Sequence, residues 1–160
     1  MDKNIEKTNV MRILSQKKIE YSAYTYDPEE TIGENVAALV GKPAKSTFKT
    51  LVTVSNTKTY YVFVVPVDCS LDLKKAAKAV GVKSIEMIKQ KDLLPLTGYV
   101  HGGCSPIGMK KQFRTVLHET AKNFEKITFS AGKRGCQVEV APDDLIKLIN
   151  AETADIAIPD

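Results

Sequence analysis

The sequence predicts a mixed α/β domain, and three observations predict it. Short β-branched and aromatic runs alternate with amphipathic segments along the 160 residues, the pattern of interleaved strands and helices. Residues 47–54 and 59–65 are two such runs joined by Ser55-Asn56-Thr57-Lys58, a hairpin spacing that argues against a purely parallel, doubly wound sheet. No repeat, low-complexity tract or linker interrupts the chain, so residues 1–160 are expected to form a single domain around one core.

In chain order, residues 3–18 read as an amphipathic helix with Ile5, Val10, Met11, Ile13 and Leu14 near one face. Residues 19–26 alternate as a strand. Thr31 and Glu34 have capping-box spacing, so a helix is expected to follow to Val40 and stop at Gly41. After the hairpin, whose second strand ends at Pro66, Ser70 is placed to cap a helix over 71–80 that Gly81 terminates. A short strand at Ile85 to Met87 and a short helix at 89–95 follow. Residues 98–108 hold four glycines and a proline in eleven positions and lose all periodicity, which predicts a loop. Strands are expected near 114–118, 126–130 and 136–140, with a short helix at about 119–124. Pro142 opens a final helix over 142–149, and 153–158 reads as a last strand.

Composition narrows the function. With 43% apolar and 26% charged residues the chain is not globally disordered. No apolar run approaches the ~20 residues a membrane helix needs. The charged stretch Met1 to Lys7 has no apolar segment behind it, so it does not read as a secretory signal. Cys69, Cys104 and Cys136 are odd in number and widely spaced. That spacing fits neither a disulfide framework nor a zinc knuckle, and it points to a reducing, cytoplasmic setting. The net charge of +4 is mild. It permits an anionic partner without requiring one. The cations cluster at Lys74-Lys75 with Lys78, at Lys110-Lys111 with Arg114, and at Lys133-Arg134.

The usual catalytic sets are missing. There is no GxSxG elbow, Walker loop, HExxH or paired-histidine spacing, so no metal is expected. His118 alternates with Val116 on a strand as a packed or surface residue would, and His101 lies in the glycine loop. Lys49 interrupts the strand Thr47-Phe48-Lys49-Thr50-Leu51-Val52. It is either an edge guard against aggregation or a cation aimed into a pocket. Gly102 and Gly103 allow close approach to backbone N–H groups that could stabilise an oxyanion, or they simply form a turn. Cys104 is a third candidate, as a nucleophile, but nothing nearby in sequence would lower its pKa. Ser130-Ala131-Gly132-Lys133-Arg134-Gly135 joins two strands. It could also bring a hydroxyl and two cations to an anionic ligand.

Four motifs in register are more specific than any one of them. Phe48-Lys49-Thr50-Leu51-Val52, Leu73-Lys74-Lys75-Ala76-Ala77-Lys78, Thr97-Gly98-Tyr99 with Gly102-Gly103-Cys104-Ser105-Pro106-Ile107-Gly108, and Ser130 to Gly135 occur in this order. Together they closely resemble the YbaK family of aminoacyl-tRNA deacylases, which is related to the editing domain inserted in bacterial prolyl-tRNA synthetases. The resemblance covers about residues 7–157. It implies a partly open mixed β-barrel or strongly curved sheet surrounded by helices. It implies hydrolytic release of cysteine from mischarged Cys-tRNA(Pro), and from Cys-tRNA(Cys), with no cofactor. Carried over by position, the catalytic groups fall on Lys49, Gly102 and Gly103. Substrate-binding groups fall on Tyr26, Thr50, Cys104, Ser105, Pro106, Ser130 and Gly132, and tRNA contacts on Lys110, Lys111, Lys133 and Arg134. A transient complex with prolyl-tRNA synthetase is implied, the protein itself being a monomer or weak dimer. The Gly-Gly-Cys-Ser-Pro loop resembles the cysteine-specific members. Two rival readings stand beside this one: a non-catalytic module holding a nucleotide or tRNA 3′ end, and an editing enzyme for Ala-tRNA(Pro).

Overall fold

The computed structural model describes residues 5–160. Its strands form three ladders and no closed barrel. The largest runs β5 (Ile85–Met87), β2 (Phe48–Ser55), β3 (Tyr60–Pro66), β6 (Arg114–His118), β9 (Glu152–Ala154) in spatial order. The expected hairpin β2–β3 is antiparallel, while β3–β6 and β6–β9 are parallel, so the sheet is mixed. A second ladder, β1 (Ser22–Thr25), β8 (Cys136–Val140), β7 (Ile127–Ser130), is antiparallel throughout. A single parallel bridge, Thr47 to Thr128, joins it to the start of β2. The third ladder pairs β4 (Cys69–Leu71) with β10 (Ala157–Pro159).

β3 explains why the chain needs two apolar layers. Its side chains alternate: Val62 and Val64 enter one core with Phe48, Leu117, Ile127, Phe129 and Val138. Tyr61, Phe63 and Val65 enter the other with Ala76, Ala77, Val80, Val116 and Ile156. The continuous apolar run 60–65 is thus a strand buried on both faces. Truncating a side chain such as Phe63 there would cost about 3–5 kcal/mol.

Among the described residues five α-helices cover these layers, and their ends show where local signals were overridden. The first, α1 (Asn9–Gln16), starts later than expected because Thr8 caps it, accepting from the Met11 N–H at 3.3 Å. Residues 3 and 4 of the expected helix lie outside the described residues, and 5–8 are not helical. The Thr31–Glu34 capping box does not form. Ile32 is the N-cap of α2 (Gly33–Leu39) and no side chain caps it. A one-turn 3₁₀ helix at Ala44–Ser46, not anticipated from sequence, leads into β2. Asp72, not Ser70, caps α3 (Leu73–Val80), accepting from the N–H groups of Lys74 and Lys75 at 3.0 and 3.1 Å. A carboxylate one residue before the helix outcompetes a hydroxyl already committed to β4. The helix α4 (Gln90–Thr97) runs past Pro95 to a left-handed Gly98, two residues beyond the expected end. α5 (Pro142–Ile149) opens on its proline as expected.

The expected strand at 153–158 is two strands. The chain turns between them at Asp155 and Ile156. The Ile156 N–H donates to His118 Nδ1 at 3.2 Å, and its carbonyl accepts from the Asp72 N–H at 2.9 Å. Among the described residues no helix is long and apolar enough to cross a membrane.

His118 makes this corner pH-sensitive. Burial pushes its pKa below the usual imidazole value, against the opposing pull of Asp155 and Glu119, and Lys75 lowers it further. The unfolded chain takes up the proton near pH ~6.5, the folded chain only at lower pH. The neutral form's contribution is therefore intact above pH ~6.5 and declines as pH falls from there toward the folded pKa. Urea unfolding is expected to show a fall in stability from pH 7.5 to 5.5. That fall should be smaller in His118→Asn, whose Oδ1 stands where Nδ1 does and can accept the same bond; equal slopes would rule the explanation out.

Candidate active site

Pairing along the second side of β2 is interrupted, and a cavity lies at the gap. β3 covers β2 from Phe48 to Val54 on one side. On the other side β5 pairs only with Thr53, Val54 and Ser55, and the bridge to β7 is made only at Thr47. Between these contacts, Phe48 to Leu51 line a cavity of about 160 Å³. The wall is completed by Tyr26, by Thr31, Gly33 and Val36 around the start of α2, by Leu93 of α4, by His101, Gly102 and Cys104, and by Ser130 and Gln137 of the second ladder.

Among the described residues Lys49 is the one lysine or arginine on that wall, and no carboxylate lines it. Among the described residues its ammonium makes no ion pair and no hydrogen bond. Of the two readings open in the sequence, the cation in a pocket is the one the fold supports. The unpaired side of β2 at Lys49 is walled by α2, α4 and the glycine loop, not left as an open edge in need of a guard.

The glycine loop reaches the cavity in a different register from the one expected. Gly102 lines it and adopts φ +86°, a conformation side chains rarely take. A Cβ there would also stand 3.0 Å from Thr31 Cγ2. Gly103 does not line the cavity. Its N–H donates to the Val100 carbonyl at 3.0 Å, closing a turn, and its Cα packs so tightly on the neighbouring loop that a Cβ would meet the Arg134 nitrogen at 3.0 Å. It is therefore removed from the set of oxyanion donors. Gly102 and Cys104 line the cavity, and among the described residues their N–H groups make no hydrogen bond. They are the available backbone donors.

Other motif residues support the walls from behind. Ser105 is fully buried and its Oγ accepts from the Ile107 N–H at 3.3 Å. Pro106 is buried beside it. Neither touches the cavity, and nor does Gly132, whose φ of +100° and contacts with Val10 and Tyr99 fix the loop. Ser130 does line it, with its Oγ accepting from the Gly132 N–H at 3.1 Å, which leaves the hydroxyl proton to donate elsewhere. Lys110, Lys111, Lys133 and Arg134 are exposed and off the wall. Arg134 has a local task as well: its Nε donates to the His101 carbonyl at 2.7 Å and ties the two loops together. Lys110 packs its stem over Gly98, and Lys111 lies 5.8 Å from the Phe113 ring centre.

Sequence reasoning passed over Thr31, Leu93 and Gln137. Gln137 matters most among these, being 6% exposed with an Oε1 that has no hydrogen-bond partner; the Thr50 Oγ1 on the same wall is buried and unpartnered too. The alternation Cys136-Gln137-Val138-Glu139-Val140 signals a strand with a polar face. Only its register, Gln137 opposite Ser130, shows that this face reaches the cavity.

The family described as "Aminoacyl-tRNA editing domain" matches residues 27–148. A curated Enterococcus faecalis protein, provisionally named Cys-tRNA(Pro)/Cys-tRNA(Cys) deacylase EbsC, is 47% identical over 156 residues, covering 96% of this chain and 95% of that one. Among solved structures, a protein provisionally described as a trans-editing enzyme for prolyl tRNA synthetase shares the fold with TM-score 0.81 at 22% identity, over 96% of this chain and 99% of its own. A hypothetical protein shares it with TM-score 0.85 at 21% identity, over 93% and 99%.

Cys104 is buried, and burial pushes its thiol up to about 12. It is protonated at neutral pH and is a poor nucleophile there. Iodoacetamide at pH 7.5 followed by peptide mapping is expected to leave Cys104 unmodified in the native protein. Rapid labelling at that residue would restore the thiol-enzyme reading.

Proposed function

This chain belongs to the aminoacyl-tRNA editing domain family, and on that premise we propose that it is a trans-editing deacylase, a single domain throughout, that releases cysteine from mischarged Cys-tRNA(Pro) and from Cys-tRNA(Cys). The observation that carries the reading is the unpaired Lys49 in one small cavity with free backbone N–H groups and with a thiol that burial keeps protonated. A prolyl-tRNA synthetase separates proline from cysteine poorly, because side chains of similar size differ by only ~1–3 kcal/mol in an apolar pocket. A second site that destroys the wrong product restores fidelity.

The ester is already activated, so the site has to position it and stabilise charge. The N–H groups of Gly102 and Cys104 polarise the carbonyl. Lys49 supplies positive charge to the developing oxyanion or to the terminal phosphate, and the Ser130 hydroxyl is a further donor. The substrate's own thiol is the attacking group. Its sulfur–carbon bond forms, the carbon–oxygen bond to the ribose breaks, and the thiol proton ends on the ribose hydroxyl. Water then opens the cyclic thioester. Holding thiol and carbonyl together takes the place of a protein base. The exposed cations Lys133, Arg134, Lys110 and Lys111 meet the tRNA backbone, a weak and salt-sensitive contact. A transient complex with prolyl-tRNA synthetase in the cytoplasm supplies the tRNA selection that so few contacts cannot.

In a deacylation panel of Cys-, Ala- and Ser-charged tRNA(Pro), the Cys ester is expected to be cleaved fastest. Cleavage of the Ser ester at an equal rate would reject attack by the substrate thiol. Lys49→Ala is expected to lower kcat/KM on Cys-tRNA(Pro) by about 10²–10³ with an unchanged melting temperature, and Cys104→Ser to retain most activity. A fully active Lys49→Ala protein would remove the site assignment.

A further inference from the structure

Two acceptor atoms on the cavity wall are buried without a partner: Gln137 Oε1 and Thr50 Oγ1. Native folds leave few such atoms, and each one calls for an explanation. Gln137 is only 6% exposed, and its direct ladder partner is Ser130. The two side chains therefore lie on one face, the face that reaches the cavity. Two residues further along the same face, Glu139 is already occupied: Lys42 Nζ lies 2.9 Å from its carboxylate and the Tyr24 hydroxyl donates to it at 3.2 Å. Glu139 does not line the cavity, and among the described residues neither does any other carboxylate.

An aminoacyl ester is rich in acceptors: the carbonyl, the ester oxygen, the ribose oxygens and the adjoining phosphate. Those match Lys49, the Ser130 hydroxyl and the N–H groups of Gly102 and Cys104. The ester carries one group that, when protonated, only donates, the α-amino group. Resting on the deacylase reading above, we infer that Gln137 Oε1 receives the substrate's α-amino group, with Thr50 Oγ1 as the second acceptor. Gln137 is thereby a specificity-determining residue that orients the ester carbonyl toward the backbone donors. It selects esters of α-amino acids over esters that lack the amine.

The test uses two esters on the same tRNA, cysteinyl and 3-mercaptopropionyl, which keeps the thiol and lacks the amine. The wild-type protein is expected to prefer the cysteinyl ester by about 10- to 100-fold in kcat/KM, the scale of one hydrogen bond from a charged donor. Gln137→Leu is expected to lose that factor on the cysteinyl ester and to leave the 3-mercaptopropionyl ester unchanged. Gln137→Glu still offers an acceptor and is expected to keep the preference while slowing cleavage of both esters, because its carboxylate also reaches Lys49. Equal loss on both esters in a Gln137→Leu protein with a native melting temperature would overturn the proposal, because Gln137 would then serve the thiol or the architecture. If Gln137→Leu does not fold, the wild type and Gln137→Glu decide: absence of any preference for the amine in the wild type, or its loss in Gln137→Glu, would overturn it. A wild-type protein that leaves both esters intact is a different result, the failure of the deacylase reading itself.

Discussion

Between the Thr47–Thr128 bridge and Val52, whose carbonyl accepts from the Ile88 N–H just before the β5 ladder, β2 is paired on one side only. A fully paired strand would have put another backbone where the cavity is. The gap leaves Phe48 to Leu51 facing open space while β3 still holds them in register, with Lys49 opposite Val65 and Thr50 opposite Val64. β3 is itself buried on both faces, so the strand that presents Lys49 is anchored to the core. The cation's position is fixed by the core, and no ion pair is needed to hold it.

The facing wall is made of loops, which are mobile unless tied down. Here they are tied to each other. Gly103 brings the glycine loop into backbone contact with Lys133 and Arg134, and Arg134 returns a hydrogen bond to the His101 carbonyl. The Tyr99 hydroxyl closes the far end on the Ile107 carbonyl at 2.5 Å. Residues that do not touch the cavity thus hold those that do. Donors set in advance cost no reorganisation when charge develops on the reacting carbonyl.

What could be read from the sequence followed the range of the forces involved. Gly41, Gly81 and Pro142 mark helix ends through backbone conformation alone, and each does so here. Thr31 and Ser70 carry the right chemistry for a cap but are diverted by distant contacts, Thr31 to the cavity wall and Ser70 to a bond with Asp160 at the β4–β10 pair. The single strand expected at 153–158 could not be divided without knowing that His118 captures Ile156. The site divides in the same way. Lys49 and Gly102 were legible because a charge in an apolar strand and a glycine cluster are local anomalies, while Thr50, and Ser130 as a substrate-binding group, were named only by the family resemblance. Ser105, Pro106 and Gly132 share their motifs and yet stand behind the wall, since a motif does not say which of its members faces inward. Gln137 was invisible because its placement depends on strand register.

The choice of acceptors explains how one lysine can serve so small a site. A carboxylate on the wall would be the stronger partner for an α-amino group, but within about 160 Å³ it would also lie within ion-pairing reach of Lys49. At such separations opposite charges in a poorly hydrated site attract by several kcal/mol. The resting cavity would then hold a closed pair, and each substrate would have to break it. An amide and a hydroxyl accept without neutralising the cation. Lys49 stays available for anionic oxygen, and the only carboxylate on that face of β8 is kept on Lys42 and Tyr24, away from the reacting ester. A cavity with one free cation and uncharged acceptors therefore suits a substrate that brings its own nucleophile, because the protein's remaining task is to orient the ester and carry its negative charge.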